Sequence, residues 1–131
     1  NFEEIPEDID GISLVPVLNG TGDLQRETLY FHYPHYHHLG YKPAGAIREG
    51  DFKLIEWFEQ SISGEGKAYD LYNLAEDPGE EHDLSGQMPE KVIEMAKKLR
   101  QWRKHTGAQE MLLNEAYQPD KADWRYTDSK D

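Results

Sequence analysis

The sequence predicts an α+β fold in which a small antiparallel sheet of about four strands packs against one long C-terminal helix. Short segments dense in aromatic and β-branched residues occur between residues 28 and 72, and turn residues separate them. An apolar repeat of helical spacing begins at Pro89. A chain of 131 residues is long enough for one domain built around a single core.

The strands are predicted from residue type and from the turns between them. Pro34 should end the first strand because proline cannot donate a hydrogen bond to a neighbouring strand. Gly50 should join the second and third strands in a tight turn because glycine readily takes a positive φ. In the third strand both faces carry apolar residues, which favours a strand covered on both sides. The predicted strands are Thr28–Tyr33, Ala44–Arg48, Phe52–Phe58 and Ala68–Tyr72.

Other segments complete the predicted organisation. A short helix or turn is predicted over 13–18, and a serine- and glycine-rich loop over 61–66. The long helix should run from Pro89 to just before Gly107, with Leu99 and Trp102 packed on the sheet. Its repeating apolar residues are Val92, Met95, Ala96, Leu99 and Trp102.

Charge and cysteine content exclude several classes of function. The net charge of −12 argues against nucleic-acid binding, which needs clustered bases. Segment 24–55 has the opposite charge balance, since it contains four basic and three acidic residues. This segment is therefore compatible with an anionic ligand. The chain has no cysteine, which excludes disulfides and a thiol nucleophile. No apolar run is long enough to predict a membrane span.

The stretch YFHYPHYHHLGY, residues 30–41, contains four of the six histidines. A zinc or copper site would need three or four of these rings to converge, and Pro34 redirects the chain after His32. A ligand site fits better, because histidine and tyrosine on a loop offer donors and flat rings for sugars or anions. Packing with hydrogen bonds to the backbone is the alternative for any single ring. His37 and His38 are expected to face solvent.

No other motif in the chain predicts a catalytic or metal centre. The acidic run AEDPGEEHDL, residues 75–84, does not have EF-hand spacing, and its DPG sequence favours a turn. No serine lies in a G-x-S-x-G setting. We therefore expect no catalytic residue and no metal ligand in this chain.

Five segments, in order, resemble the C-terminal part of the arylsulfatase-type sulfatases, the formylglycine-dependent sulfuric ester hydrolase family. They are DGISLVPVLNG, RETLYFHYPHY, PAGAIREGDFKLIEWFE, YDLYNLAEDPGEEHDL and MPEKVIEMAKKLRQWRK followed by GAQ. The resemblance covers about residues 8–110. Its most specific part is DLYNLAEDPGEEHDL, close to the family's LYNL-x-x-DPGE-x-x-NL block, and the hairpin AIREGDFKLIE is the second.

The resemblance implies that the chain is one part of a larger sulfatase. Residues 1–11 would then be a linker from a missing N-terminal catalytic domain, 12–109 the C-terminal subdomain and 110–131 an irregular polar tail, with Tyr117, Trp124 or Tyr126 against the surface. The formylglycine and the calcium ion of the family are expected in the catalytic domain, since neither motif is present here. The fragment alone is predicted to be inactive.

The resemblance also implies that the histidine stretch reaches the active-site cleft. We therefore predict that His32 or His35 contacts the substrate, helped by Tyr36 or Arg48. The implied partners are the N-terminal catalytic domain of the same chain and a sulfated carbohydrate or aryl sulfate. A secreted or periplasmic location is typical of such enzymes. The alternatives are a free-standing glycan- or anion-binding module and, less favoured, a histidine-rich metal-binding domain.

Overall fold

Four antiparallel strands and one long helix dominate the computed structural model, which describes residues 11–24 and 26–116. The strands lie side by side in chain order, each antiparallel to the next. This arrangement confirms the predicted α+β class. The predicted linker, apart from Gly11, and Tyr117, Trp124 and Tyr126 lie outside the described residues. The elements are α1 (Val15–Leu18), β1 (Thr28–Tyr33), β2 (Ala44–Glu49), β3 (Phe52–Trp57), α2 (Phe58–Ser63), β4 (Tyr69–Asn73) and α3 (Pro89–Thr106).

The core lies between the sheet and α3. The strand register aligns Tyr30 with Ile47, Ile47 with Leu54, and Leu54 with Leu71, so their side chains form one row on one face. Helix α3 covers this row, and Trp102 stacks on Tyr30 with 4.9 Å between ring centroids. The fully buried apolar residues of this core are Ile47, Leu54, Leu71, Met95 and Leu99.

Helix α3 begins and ends as its sequence predicts. Pro89 occupies the first turn together with Glu90, where an acidic side chain complements the helix dipole. Gly107 follows the last turn with φ 65°, and its amide donates to the carbonyl of Arg103. Leu99 is completely buried against the sheet.

The chain leaves the sheet one residue earlier than predicted. Phe58 does not continue β3 but begins α2, because its ring is buried against Gly45 and the guanidinium of Arg103. The Arg103 carbon Cζ lies 5.1 Å from the Phe58 ring centroid. Helix α2 runs into the predicted loop 61–66 and ends at Ser63, and Gly64 caps it with φ 73°. Gly45 and Arg103 are distant from Phe58 in the chain, so the local sequence did not indicate these contacts.

The DPGE segment ties the chain after β4 back onto the sheet. Glu80 has a positive φ of 57°, and both its carboxylate oxygens accept from Nζ of Lys53 at 2.6 and 2.8 Å. Asp83 accepts from the amide of Leu71 at 2.9 Å. The most specific block of the sequence therefore has a structural role, since it joins β3 and β4 to the loop before α3.

Candidate functional site

The histidine stretch forms the loop between β1 and β2 at one end of the sheet. Inside it, residues 37–41 form a tight turn in which the Gly40 amide donates to the His37 carbonyl at 2.9 Å. Nδ1 of His37 accepts from the Leu39 amide at 3.2 Å. His37 is therefore half-buried within the turn, whereas His38 is exposed as expected.

His35 and Tyr36 form the exposed tip of the loop and are held from below. The His35 ring meets Tyr33 edge-on, with 5.6 Å between centroids. The Tyr36 hydroxyl donates to Oε1 of Glu59 at 2.5 Å, which fixes the loop to the first turn of α2. Both rings are exposed, so they can contact a ligand from a supported position.

His32 lies on the other side of the sheet, facing α3. Its Nε2 is 2.7 Å from the carbonyl oxygen of Gln109, and its ring lies 5.2 Å from that of Phe58. Because a carbonyl oxygen only accepts, Nε2 must carry the hydrogen, and Nδ1 is buried with no hydrogen-bond partner among the described residues. His32 thus joins β1 to the segment after α3, a contact that its sequence position did not indicate. A substrate contact by His32 stays a prediction.

Arg48 lies towards the opposite end of the sheet from the histidine loop. It pairs with Leu29 in the register, whereas His32 pairs with Gly45, three residues away along β2 or roughly 10 Å. Nε of Arg48 donates to the Gly50 carbonyl at 3.4 Å. The structure therefore brings His35 and Tyr36 together and leaves Arg48 apart from them.

A shallow, open cleft of about 720 Å³ lies at the end of the histidine loop, and the sequence analysis did not identify it. Lys42, at the end of the loop, and Trp57, at the end of β3, line it. Nε1 of Trp57 donates to Oδ2 of Asp70 at 2.6 Å. The remaining lining residues are Gln60, Glu65, Gly66, Lys67 and Asp70. The signal that could have indicated the cleft is a tryptophan at the loop-side end of a strand.

Lys67 keeps its positive charge at the edge of this cleft. Its ammonium group contacts Asp70 at 2.5 Å and also contacts Asp83. Hydrogen bonds to Asp70 and then to Asp83 raise the pKa of Lys67, against the smaller effect of partial burial. The cleft therefore has two lysines in different states. Two carboxylates hold Lys67. Lys42 has no ionic partner among the described residues.

A buried ion pair supports this end of the molecule. Nη1 of Arg103 donates to Oε2 of Glu56 at 2.6 Å, and both side chains are almost completely buried. The hydroxyl of Ser61 donates to Oε1 of the same carboxylate at 2.6 Å. Glu56 therefore fixes α2, which carries Glu59 and Gln60, to the sheet and to α3.

The arrangement suits binding more than bond cleavage. His35 and Lys42 offer donors to hydroxyl or anionic groups, the Tyr36 hydroxyl oxygen can accept while it donates to Glu59, and Trp57 offers a flat ring. Within residues 11–24 and 26–116, no group of three or more histidine, aspartate or glutamate side chains could hold a metal ion. In the same ranges no helix is long and apolar enough to cross a bilayer.

Comparison with known proteins gives a consistent result. Residues 3–105 match the family described as N-sulphoglucosamine sulphohydrolase, C-terminal. The chain is 30% identical over 100 residues to arylsulfatase K of Xenopus laevis. The aligned region covers 74% of this chain and 18% of that protein. It is 34% identical over 88 residues to N-acetylglucosamine-6-O-sulfatase of Bacteroides thetaiotaomicron, covering 63% of this chain and 15% of that protein.

A solved structure is similar in both fold and sequence. That structure is of a protein in complex with its substrate D-glucosamine-2-N,6-O-disulfate, and its TM-score to this chain is 0.58 at 28% identity. The match covers 79% of this chain and 21% of that one. The chain thus spans about a fifth of the length of the relatives it matches.

Proposed function

We propose, from the premise that this chain belongs to the N-sulphoglucosamine sulphohydrolase C-terminal family, that it is the substrate-selecting part of a sulfatase. In this proposal the whole protein hydrolyses a sulfuric ester, and the bond is broken outside this chain. The chain contributes a binding surface and structural support. The single observation that carries the proposal is the supported, exposed pair of His35 and Tyr36 on the β1–β2 loop. Lys42, near the end of the same loop, lines the cleft.

The chemistry of this surface fits a sulfated sugar. His35 can donate to a sulfate or hydroxyl oxygen, and the Tyr36 hydroxyl can accept from a sugar hydroxyl while it donates to Glu59. Lys42 supplies positive charge, whereas Lys67 is already paired with Asp70 and Asp83. Trp57 supplies a ring for a sugar face. His32 and Arg48 are proposed as further substrate contacts; His32 faces α3, and Arg48 lies near the turn between β2 and β3.

The catalytic chemistry is assigned to the part of the protein that lies outside this chain. A formylglycine and a calcium ion would act there, as the family resemblance implies. The described residues do not fit a calcium site, so no step of the reaction is derived through this chain. Its proposed partners are an N-terminal catalytic domain of the same protein and a sulfated glycan or aryl sulfate. A secreted or periplasmic location is proposed on the same basis.

Steady-state kinetics of the full-length enzyme test the binding role. D-Glucosamine-2-N,6-O-disulfate, the substrate named for the similar structure, is a suitable first probe. His35→Ala should lower kcat/KM by about ten- to a hundredfold without abolishing turnover, because a hydrogen bond to a charged group is lost. His38→Ala, which removes an exposed neighbouring ring, is the matched control and should change little. If the wild type hydrolyses the substrate and His35→Ala has the same kcat/KM, the proposed substrate contact of His35 is contradicted.

The chain by itself provides the second test. It should release no sulfate from an aryl sulfate above a heat-treated control, because the proposal assigns the bond-breaking groups to the part of the protein outside this chain. Titration with sulfated and unsulfated glycans separates the proposal from a free-standing glycan-binding module. Tight binding by the chain alone would favour that module.

A further inference from the structure

The solvent-facing side of α3 carries positive charge in a strongly acidic chain. Helix α3 contains six basic and two acidic residues among its 18 residues, a net charge of +4. The whole chain has a net charge of −12, so the residues outside α3 together carry −16. Because exposed charges more than about 8 Å apart are largely screened at physiological salt, a ligand at α3 responds to the local positive charge.

Half of the basic residues of α3 are used by the fold itself, since each has a carboxylate partner in the chain. The pairs are Lys91 with Glu94, Lys98 with Glu49 and Glu94, and Arg103 with Glu56 and Glu110. The other three basic residues are Lys97, Arg100 and Lys104, which we call the basic stripe.

The basic stripe is exposed, and within residues 11–24 and 26–116 none of its members contacts a carboxylate. Its residues follow one another at spacings of three and four, which places their side chains in one row on the helix. Lys97 and Lys104 are therefore about 10 Å apart along the helix axis. Arg100 donates from Nη1 to the Tyr69 hydroxyl at 3.2 Å, so its guanidinium keeps other hydrogens for a ligand.

Helix stabilisation explains only part of the basic stripe. Lys104 lies in the last turn, where a positive side chain complements the helix dipole. Lys97 is the ninth of 18 residues, so it lies outside the range of that effect. Glu94 precedes Lys97 by one turn, but its carboxylate already contacts Lys98 at 2.8 Å. The charge of Lys97 is therefore available to a partner from outside the chain.

The basic half of α3 lies towards the end of the sheet that carries the histidine loop. Lys91, near the start of the helix, lies 5.4 Å from the ring centroid of Phe52, beside the turn between β2 and β3. Arg103, near the other end, lies close to Gly45, which pairs with His32 near the end of β1. A polymer held at the histidine loop can therefore continue towards the basic stripe.

We propose that the basic stripe is an exosite, a second binding surface that holds a sulfated polysaccharide while one of its sugars occupies the histidine loop; this inference rests on the proposed function. Sulfate groups along such a polymer complement the row of positive charges. Binding at two places on one protein raises the affinity for a long chain but not for a single sugar. Three basic side chains are fewer than the roughly four to eight typical of an anionic-membrane surface or the roughly six to ten phosphate contacts of a duplex binder.

Titration of the full-length protein with heparin, a sulfated polysaccharide, tests the exosite. Lys97→Gln combined with Lys104→Gln should raise the Kd about tenfold at low salt, because two ionic contacts are lost. The plot of log Kd against log salt concentration should also become shallower by roughly one unit of slope for each lysine removed. No heparin binding by the wild type, or the same Kd for the wild type and the double variant, would overturn the exosite.

A matched pair of single variants separates the basic stripe from the total charge of α3. Lys97→Gln and Lys91→Gln each remove one positive charge from the same helix, but only Lys97 belongs to the stripe. Lys97→Gln should raise the Kd for heparin about threefold, and Lys91→Gln should change it much less. Equal weakening by the two variants would contradict a specific role of the stripe. This pair decides the question if the double variant does not fold.

Kinetics with D-glucosamine-2-N,6-O-disulfate separate the exosite from the proposed function. The double variant should hydrolyse this single sugar with the wild-type kcat/KM, and a lower value would place the stripe at the reacting sugar and overturn the exosite. If the full-length protein cleaves no sulfuric ester but binds heparin through the stripe, the exosite stands and the proposed function fails. If it cleaves the ester while the Kd for heparin does not depend on the stripe, the proposed function stands and the exosite fails.

The other possible occupants are tested with the same variants. Duplex DNA and vesicles containing phosphatidylserine replace heparin in the titration. Both should bind more weakly than heparin and respond less to the loss of Lys97 and Lys104. A stronger dependence on the stripe for either probe than for heparin would overturn the polysaccharide as its partner.

Discussion

Glu56 and Arg103 form a buried ion pair in which one carboxylate links β3 to three other elements of the fold. The guanidinium of Arg103 donates from α3 to Oε2 of Glu56 on β3 at 2.6 Å. Oε1 of Glu56 accepts from Ser61 of α2 at 2.6 Å and from the Tyr69 hydroxyl at 3.3 Å. Since the accessible fractions of Glu56 and Arg103 are 2% and 5%, each charge depends on the other for its solvation.

Removing the cation of this pair should destabilise the chain strongly. Arg103→Met keeps much of the side-chain volume but leaves the Glu56 carboxylate buried without its ionic partner, which should lower the free energy of unfolding by about 3–5 kcal/mol. Urea denaturation followed by circular dichroism measures the change. Lys104→Met, at an exposed neighbouring position, is the control and should change the value by less than about 0.5 kcal/mol. Equal denaturation midpoints for the two variants would contradict the structural role of the pair.

The contact of α3 with the sheet is tested by shortening its most buried leucine. Leu99 is fully buried, so Leu99→Ala should lower the free energy of unfolding by about 2–5 kcal/mol through lost burial and a residual cavity. The same truncation at Ile93, an exposed position on the same helix, should have a much smaller effect. Thermal denaturation of both variants measures the difference. An unchanged melting temperature for Leu99→Ala would show that α3 does not pack as described.

Gly45 is required by the close approach of two side chains to β2. A Cβ at this position would lie 3.0 Å from a ring carbon of Phe58 and 3.4 Å from Nη1 of Arg103. Gly45→Ala should therefore lower the free energy of unfolding by about 1–3 kcal/mol, because both neighbours would have to move. Gly86→Ala, where the added carbon meets no atom within 4 Å, is the matched control. Calorimetry that found the two variants equally stable would argue against the tight packing at β2.

Asp83 should make the stability of the chain depend on pH in the acid range. Partial burial acts to raise the pKa of Asp83, but hydrogen bonds from Lys67, the Leu71 amide and Ser85 together hold it well below its usual range. A depressed pKa stabilises the folded state at every pH above the ordinary aspartate value of about 3.9, and this contribution is lost as the pH falls further.

Asp83→Asn tests this linkage. The variant should be less stable than wild type by about 1–3 kcal/mol at pH 7, and the difference should shrink only below about pH 4. Denaturant unfolding between pH 2 and 7 measures it. Glu81→Gln removes an exposed carboxylate from the same segment and should show no such trend. A difference that does not vary with pH would exclude the carboxylate charge as its cause.

Much of the fold could be predicted because the signals are local. The turn at Gly50 and the strong strand residues around it fixed the central hairpin, and the observed strands begin and end within one residue of those predicted. Pro89, Gly107 and the repeat that includes Leu99 likewise fixed the long helix. The resemblance carried by the LYNL and DPGE residues indicates the family from the sequence alone, and the family match over residues 3–105 confirms it.

The candidate site was predicted less completely. The histidine loop was found because four histidines and four tyrosines in twelve residues are visible in the sequence. Trp57 and Lys42 were missed, since they become neighbours only when β3 ends beside the loop. Arg48 was grouped with the histidines, but the register of β1 and β2 places it towards the other end of the sheet.

Local residue order was enough to establish the elements, the turns and the family, because hydrogen bonding and φ preferences act between residues close in the chain. Long-range packing established the rest. Glu56 and Arg103 are 47 residues apart, and His32 and Gln109 are 77 apart. These partners meet only when α3 and the segment after it fold back over the sheet, where burial makes an unpaired charge or hydrogen-bonding group costly.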